Sequence, residues 1–357
     1  MQEKVLILSF SGIGNGLMAV PFLNCLKEKI APRAIDILCL NEPMVEAFNL
    51  TFEGAEVFCL TGRRPADLFT ILALRKRRYD LCITLFPSNK WQFDVIAFLS
   101  GAKRRISHQY PVNRLSAFLQ NVKIPANTAL HDIQQNLNLL KALSFEPPQG
   151  STPVNVKLGW ADKKFARDFI EDHKLGGAFI VGVHPGAGSD YGGQGWQGKF
   201  KRWGEENFAG LCDALIEEKN ARVILFGGKS EAALKNEIYA RARCRDKIIP
   251  SYTATLFQAA ALMAQCNLFI SNDSGLMHLA AFSRVPTLGI FGPTNHNRTA
   301  PWGQKSFYLR AQTECSPCLK YPFYSTFSRL HCRFNAKCFY AVSVEMVMNF
   351  LKAKGLI

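Results

Sequence analysis

The stretch Cys266–Thr294 reads CNLFISNDSGLMHLAAFSRVPTLGIFGPT and contains the clearest succession of elements in the chain. It predicts an apolar strand at Leu268–Ser271, a short helix that begins near Asp273 and Ser274, and a second apolar strand at Thr287–Phe291. A helix amino terminus offers unpaired N–H groups and about half a positive charge, so it can bind a phosphate. The local sequence equally fits an ordinary strand–helix–strand unit in which Asp273 only caps the helix.

Predicted strands and helices alternate along the whole chain. The apolar strands are predicted at Val5–Ser9, Ala34–Leu40, Leu81–Phe86, Phe179–His184 and Arg222–Phe226. The helices are predicted at Leu17–Lys29, Arg63–Arg78, Phe93–Ser100, His131–Ser144, Glu205–Lys219, Ser230–Ala242 and Ser343–Leu351, and a Gly-rich turn at Phe10–Gly16. This alternation favours an α/β fold with parallel sheets covered on both faces. A Pro- and Gly-containing break at 147–151 divides the chain, so we expect domains at residues 1–155 and 156–340 and a C-terminal helix at 341–357.

The segment Asp273–Thr294 contains D-S-G-x-x-H, then Ala280–Ala281, a strand and F-G-P-T. The chain also contains LSFSGIGNGLMAVPFL, LFPSNKWQFDVIAFLSGAKRRISH, HDIQQNLNLLKAL, and HPGAGS followed by FKRWGEENF. Together these motifs resemble glycosyltransferase family 9, the lipopolysaccharide heptosyltransferases, apart from one residue of spacing between His278 and the alanine pair. A Gly-rich insert at Asp190–Lys199 is longer than most members of that family carry.

The resemblance implies a GT-B fold, in which two Rossmann-like domains with parallel sheets face an interdomain cleft. It also implies an inverting, metal-independent enzyme that moves heptose from ADP-heptose to a lipopolysaccharide core acceptor of the lipid A–Kdo type. Two alternatives stay open: a glycosyltransferase with another nucleotide sugar or acceptor, and a catalytically weak sugar-nucleotide-binding protein. A Rossmann-type oxidoreductase has little support, because SGIGNG is not the G-x-G-x-x-G fingerprint.

The residues that the resemblance assigns to the nucleotide sugar lie in the second half of the chain. They are Gly186, Ala187, Lys201, Glu231, Asp273, Ser274, Gly275 and His278. Lys201 is the cation expected on the diphosphate, because a charge pair at ~4 Å is worth about 4 kcal/mol at an effective dielectric near 20, against about 0.3–1 kcal/mol for a helix end. Asp273 is expected on the sugar hydroxyls or the ribose, with Ser274 and Gly275 on the phosphates.

Two of these residues have a second interpretation. Glu231 resembles the ribose-binding Glu of the family, but a carboxylate at a helix start is also stabilised by the helix dipole. His278 is expected to pack behind the loop as a structural hydrogen-bonding group rather than to act as a catalyst.

The predicted catalytic residues are Asn15, Lys201 and Asp273. Many members of the family carry Asp where this chain has Asn15, and that Asp is thought to take the proton of the acceptor hydroxyl. A carboxamide cannot act as a general base. The substitutes in the same half of the chain are three titratable side chains: Asp94, His108 and His131. Otherwise the phosphate accepts the proton, or transfer is slow or absent.

The eleven cysteines include a cluster near the C-terminus, Cys315-x2-Cys318-x13-Cys332-x5-Cys338, with His331 beside it. Its spacing fits a structural zinc site loosely, and reduced thiols are the alternative. No acidic pair of the D-x-D type lies in a plausible phosphate position, so we expect catalysis without a metal cofactor.

The chain carries a net charge of +15 and no apolar run near the ~20 residues that cross a bilayer. No secretory signal is evident at its start, so we expect a cytoplasmic protein with reduced thiols. Basic clusters lie at Arg63–Arg64, Arg75–Arg78, Lys103–Arg105 and Arg241–Arg245, with no recognisable nucleic-acid module around them. They are either solvated helix ends or a basic face toward anionic lipid or a phosphorylated glycolipid. The expected partners are a nucleotide sugar and an anionic glycolipid, for a monomer at the cytoplasmic face of the inner membrane.

Overall fold

The computed structural model describes residues 2–110, 116–150, 152–187, 201–319, 332 and 334–357, apart from the side chain of Arg64. These residues form two compact units, one extending to Asn155 and the other running from Val156 to Leu319 and including the described C-terminal residues. The predicted Gly-rich insert at Asp190–Lys199 and His331, beside the predicted cysteine cluster, lie outside the described residues. None of the described helices is long and apolar enough to cross a membrane.

The first unit contains one parallel sheet of six strands. These are β1 Lys4–Ser9, β2 Ala34–Cys39, β3 Ala55–Cys59, β4 Leu81–Thr84, β5 Arg104–Gln109 and β6 Val122–Pro125. The helices are α1 Ile13–Ile30, α2 Glu42–Thr51, α3 Arg64–Arg75, α4 Trp91–Leu99 and α5 Asp132–Asn138, with 3₁₀ turns at Ala117–Leu119 and Leu139–Leu143. The strand order is β3-β2-β1-β4-β5-β6.

The second unit contains another parallel sheet of six strands. These are β7 Ile180–His184, β8 Arg222–Leu225, β9 Ile248–Pro250, β10 Leu268–Asn272, β11 Thr287–Phe291 and β12 Ser306–Arg310. The helices are α6 Trp160–Asp172, α7 Glu205–Lys219, α8 Ala232–Arg241, α9 Leu256–Met263, α10 Gly275–Phe282, α11 His296–Thr299, α12 Lys337–Tyr340 and α13 Val344–Ala353, with 3₁₀ turns at Lys229–Glu231 and Arg245–Lys247. The strand order is β12-β11-β10-β7-β8-β9.

The two sheets therefore have the same topology. In each, the first strand of the unit pairs with the second on one side and with the fourth on the other. Ligands of open α/β sheets bind beyond the carboxyl ends of the strands, where the strand order reverses. That point lies between β1 and β4 in the first unit and between β7 and β10 in the second. The residues of β7, β10 and β11 are all buried, as expected for strands covered on both faces.

The first helix is longer than the sequence predicts, because it begins at Ile13 inside the predicted turn Phe10–Gly16. Gly16 lies inside this helix, and a Cβ at that position would be only 3.1 Å from the Cε atom of Met44. The glycine thus lets α1 lie close against α2, so it serves helix packing rather than a turn.

Candidate functional site

The switch point of the second sheet collects polar side chains from three adjacent strands. His184 is the last residue of β7 and lies opposite Ser271 of β10 in the register of the sheet. Its Nδ1 atom is 3.0 Å from the Ser274 hydroxyl and 3.3 Å from the Ser271 hydroxyl. Its Nε2 atom is 3.3 Å from a carboxylate oxygen of Glu231, which follows β8. The imidazole therefore joins the loops after β7, β8 and β10.

Glu231 is held in its ionised form at this point. Its carboxylate also accepts a hydrogen bond of 3.0 Å from the Gly228 N–H group. Burial raises the pKa of Glu231, but His184, the Gly228 N–H group and the Arg202 guanidinium outweigh burial and lower this pKa to about 2. The carboxylate that the sequence assigns to the ribose is thus negatively charged at neutral pH and fixed in direction.

Gly186 is required by this arrangement. A Cβ atom at Gly186 would overlap the Glu231 carboxylate and would lie 2.8 Å from His184 Nε2. The predicted Gly186–Ala187 loop therefore lies directly against the His184–Glu231 pair. A glycine here allows the backbone to lie directly against those two side chains.

A buried lysine supports the turn that carries Glu231. Lys235 donates hydrogen bonds to the carbonyl of Gly227, at 2.9 Å, and to the carbonyl of Ser251. Burial lowers the pKa of Lys235 to about 8, partly opposed by the negative charge of Glu231. Lys235 thus orders the loop after β8 by satisfying two carbonyl groups that would otherwise be buried without partners.

Asn272, the last residue of β10, fixes the position of Lys201. Its Nδ2 atom donates to the Pro185 carbonyl at 2.7 Å, and its Oδ1 atom accepts from the Trp203 N–H group at 3.1 Å. The Trp203 indole is buried and donates to the Val342 carbonyl at 2.8 Å. Lys201 comes two residues before this anchored tryptophan, so its backbone is tied to the loop after β7.

Lys201 and Asp273 are brought together. Burial raises the pKa of the Asp273 carboxyl group, although Lys201, hydrogen bonds from Thr294 and Thr299, and Arg298 each act to lower it. The Thr299 hydroxyl donates to Asp273 at 3.2 Å. Asp273 therefore retains a proton to higher pH than an ordinary aspartate, in contrast to Glu231.

The loop after β10 begins α10, and Ser274 rather than Asp273 is its N-cap. The Ser274 hydroxyl accepts a hydrogen bond of 3.3 Å from the Met277 N–H group. The interpretation of Asp273 as the cap is therefore wrong, because Asp273 lies one residue before the cap and accepts from Thr299 instead. Gly275 is the first helical residue, where backbone N–H groups have no intrahelical partner.

His278 lies behind this loop on the inner side of α10. Its side chain is buried, and burial lowers its pKa to about 4, so it is neutral at physiological pH. Among the residues that the structure describes, its Nδ1 atom has no hydrogen-bond partner. This position is that of a packed core histidine one turn behind the phosphate-type loop.

Asn15 lies in the first turn of α1, beside the switch point of the first sheet, and is partly exposed. The three proposed substitute bases are all buried. The Asp94 carboxylate accepts from the Ser116 hydroxyl at 2.6 Å and from the Gln120 amide at 3.1 Å. These bonds hold it in the protein interior, so its structural role argues against the hypothesis that Asp94 is the base.

The two histidines are engaged in the same way. His108 Nε2 is 2.9 Å from the Gln135 carbonyl, so this nitrogen donates, and burial lowers the pKa of His108 to about 4. His131 is the N-cap of α5, and its Nδ1 atom accepts from the Ile133 N–H group at 3.2 Å. Both imidazoles thus stabilise the fold around α5.

Four C-terminal cysteines of the second unit lie near one another. Burial, and to a smaller extent the neighbouring thiols of Cys318, Cys315 and Cys332, raise the pKa of Cys338 to about 11. Nevertheless, within the described part of the chain no three His, Cys, Asp or Glu side chains are grouped so as to hold a metal ion. The described residues therefore do not support the predicted zinc site.

A profile of glycosyltransferase family 9 (heptosyltransferase) matches residues 70–325. The chain belongs to glycosyltransferase family 9. The resemblance that its motifs indicate is thereby confirmed.

Relatives and solved structures agree with this membership. Lipooligosaccharide heptosyltransferase 2 of Haemophilus influenzae is 33% identical over 327 residues, which cover 86% of this chain and 88% of that protein. Lipooligosaccharide heptosyltransferase 2 of Campylobacter jejuni is 35% identical over 148 residues, and that match spans only 40% of this chain and 43% of the relative.

The fold is shared with two solved members of the same group. A family 9 glycosyltransferase from Veillonella parvula has a TM-score of 0.80 at 18% identity and covers 100% of this chain and 98% of its own. The E. coli ADP-heptose lipopolysaccharide heptosyltransferase II has a TM-score of 0.73 at 21% identity, with 98% of both chains covered. The predicted GT-B fold is confirmed.

Proposed function

We propose that this family 9 member is an inverting glycosyltransferase that moves heptose from ADP-heptose to a lipopolysaccharide core acceptor. The observation that carries the proposal is the set of charged side chains at the second switch point, where Lys201, Glu231 and Asp273 meet the Pro185–Ala187 loop. The E. coli structural neighbour is an ADP-heptose lipopolysaccharide heptosyltransferase, which supports the donor and the acceptor class. The protein acts as a monomer at the cytoplasmic face of the inner membrane.

The charges of the site suit a diphosphate. Arg202 lies close enough to lower the pKa of Glu231, and Lys201 and Arg298 lower that of Asp273. Three cationic side chains therefore lie near two carboxyl groups, one of which, Asp273, has a raised pKa. The positive excess can stabilise the ADP that leaves, and the N–H groups at the start of α10 add to it. Cationic side chains of the protein thus neutralise the charge of the leaving diphosphate, and transfer requires no divalent metal.

The carboxyl groups of the site have different tasks. Glu231 remains ionised and accepts hydrogen bonds from the ribose hydroxyls. Asp273, whose pKa is raised, contacts the hydroxyls of the transferred sugar. In transfer, the acceptor oxygen bonds to the anomeric carbon from the face opposite ADP, the bond from that carbon to the phosphate oxygen breaks, and the proton of the acceptor hydroxyl passes to the diphosphate of the departing ADP. Asn15 orients the acceptor hydroxyl through its carbonyl oxygen but cannot take that proton.

The nucleotide is tested by calorimetry with ADP, UDP and GDP, and the reaction by heptose transfer from ADP-heptose in EDTA. We expect ADP to bind tightest and transfer to survive EDTA. Loss of all transfer in EDTA, restored by magnesium or manganese, would refute the metal-independent mechanism. Tightest binding of UDP or GDP would favour another nucleotide sugar, and ADP binding without transfer would favour a catalytically weak binding protein, the alternative that Asn15 keeps open.

Lys201→Ala tests the diphosphate site directly. Because Lys201 is partly exposed, solvent screens its charge, and we expect a loss of ADP affinity of about 10²-fold rather than the full ~4 kcal/mol of an unscreened pair. Lys163→Ala, on the exposed face of α6, is the matched control and should leave affinity unchanged. Equal affinities of the two variants would remove Lys201 from the site.

A further inference from the structure

Helix α3 of the first unit carries apolar side chains both on its inner side, toward the sheet, and on its outer side, toward solvent. Its inner residues Ile71 and Leu74 are buried in the core beneath the sheet. On its outer side, Leu68 is 48%, Phe69 is 73% and Leu72 is 40% exposed. Positions i, i+1 and i+4 lie on one side of a helix, so these three side chains form a continuous apolar face toward solvent.

Helix α4 repeats this arrangement beside α3. Trp91 is 60% and Phe98 is 48% exposed, and their spacing of two helical turns puts both on the outer side. The inner residues Phe93 and Ala97 belong to the same core cluster as Ile71 and Leu74. The two helices pack against each other, and the Arg75 guanidinium on α3 donates to the Leu99 carbonyl on α4 at 3.1 Å. Their outer faces therefore point away from the same side of the sheet.

The turn Ala117–Leu119 packs against α4 and adds Phe118, which is 77% exposed. Within the described part of the first unit, all the large hydrophobic side chains that are exposed lie on α3, α4 and this turn. Single exposed hydrophobic residues are ordinary, but a concentration on two neighbouring helices marks an interaction surface. We call Leu68, Phe69, Leu72, Trp91 and Phe98 the α3–α4 face.

Basic side chains surround the α3–α4 face. Arg63, Arg75 and Lys76 are exposed at the two ends of α3, and Lys103 is exposed beyond α4. The Arg105 guanidinium lies 5.5 Å from the centre of the Phe98 ring. The one acidic side chain of α3, Asp67, accepts hydrogen bonds from the Thr61 backbone and hydroxyl. The surface is thus apolar at its centre and positively charged at its border.

We propose that the α3–α4 face docks on an anionic lipid bilayer. Aromatic and leucine side chains bind at the boundary between headgroups and acyl chains, and bordering Lys and Arg side chains bind lipid phosphates. The combination of an apolar centre and a cationic border fits that surface in both respects. The proposal rests on the proposed function, because an enzyme whose acceptor is a membrane glycolipid must work at the bilayer surface.

The first test is vesicle sedimentation with the full chain, using phosphatidylcholine vesicles with and without ~30% phosphatidylglycerol. We expect binding to the anionic vesicles, weakened by salt, and little binding to neutral ones. Phe69→Ser with Leu72→Ser should reduce binding to anionic vesicles at least about tenfold. Trp160→Ser with Met346→Ser, at exposed positions of the second unit, is the matched control and should change it less than about twofold.

The second test separates docking from catalysis. The Phe69/Leu72 variant should transfer sugar at the wild-type rate to a soluble, deacylated core acceptor, and more slowly to the same core in vesicles. Absence of transfer to both acceptors, with vesicle binding that depends on Phe69 and Leu72, would overturn the proposed function and uphold the docking surface. Three results would overturn the docking proposal: equal vesicle binding by wild type and variant, equal binding to neutral vesicles, or a dimer in sedimentation analysis that the variant dissolves.

Discussion

The two switch points of the molecule share one strand order and differ in chemistry. Beyond the first sheet, the loop after β4 is held by neutral groups, with the Phe86 N–H group bonded to Asn136 at 2.9 Å and the Ser88 N–H group to Tyr110 at 2.6 Å. Beyond the second sheet, the corresponding loops carry ionisable side chains, among them His184, Glu231 and Asp273. The hydrogen bonds that hold the first loop are thus made by neutral groups, whereas those at the second edge involve charged ones.

This difference shows which features of a site are determined by the strand topology and which are not. The strand order places a binding edge at each switch point, but the few residues after each strand decide what charge that edge presents. A nucleotide diphosphate matches the charged edge of the second unit. The neutral edge with Asn15 suits a sugar hydroxyl, and the positive charge of the first unit lies instead on the outer helices.

The largest effect is expected from giving the neutral edge a carboxylate. Asp94, His108 and His131 are buried in structural roles, so Asn15→Asp should supply a base that these side chains do not. A positioned base is worth 10²–10⁴-fold, and we expect the transfer rate to rise by about 10²-fold. The rate is measured on the glycolipid acceptor, with Asn15→Ala as control. A rate for Asn15→Asp at or below that of wild type would mean that another group takes the proton.

Each unit also contains a buried histidine whose pKa burial lowers, His108 in the first and His278 in the second. Both have a pKa of about 4 in the folded protein, below the ~6.5 of an unfolded histidine. The unfolded chain therefore binds more protons between these values, and the free energy of unfolding should fall as the pH drops from about 6.5 to 4. Each residue contributes at most about 3 kcal/mol over this range.

The measurement is denaturant unfolding at several pH values for wild type, His108→Gln and His278→Gln. Each variant should lose part of the pH dependence above pH 4.5, a range in which Glu231, with its pKa of about 2, does not yet titrate. An unchanged slope in either variant would show that the corresponding histidine is not the group that protonates on unfolding.

A smaller effect is expected from adding one methyl group at each edge. Gly186→Ala pushes a Cβ into the Glu231 carboxylate, whereas Gly12→Ala, in the loop after β1, meets nothing within 4 Å. We expect Gly186→Ala to cost about 1–3 kcal/mol of stability, as overpacking does, and Gly12→Ala to stay within about 0.5 kcal/mol. Thermal unfolding of the two variants measures this difference in stability. Similar melting temperatures would mean that Glu231 can move aside, and that the charged edge is less rigid than its hydrogen bonds indicate.

Sequence patterns predicted four of the six described strands of the second unit, β7, β8, β10 and β11, but missed β9, β12, α6 and α9. The helix Glu205–Lys219 and the strand Thr287–Phe291 have the predicted bounds, because short-range periodicity and turn residues determine them. The loop Asp273–Gly275 was found for the same reason, since its motif is continuous in the chain. The predicted start of α1 is wrong. The glycines at its beginning are typical of a turn, but Gly16 instead lets the helix pack closely against α2.

His184, Asn272 and Lys235 were not predicted as parts of the site. His184 and Ser271 are separated by 87 residues, as are Asn272 and Pro185. No local pattern reports such partners, because they meet only when parallel strands pair. The available signal was positional: His184 and Asn272 are polar residues that end buried apolar strands, at the edge where ligands of such sheets bind.

The hydrogen bond from the Trp203 indole to the Val342 carbonyl also bears on when the site can form during synthesis on the ribosome. The core around Trp203 includes Phe339, Val347 and Leu351, more than a hundred residues later in the chain. A nascent chain that has already exposed Lys201, Glu231 and Asp273 still lacks the residues that cover Trp203. The charged edge of the second unit is therefore completed only when the segment through Leu351 has left the exit tunnel.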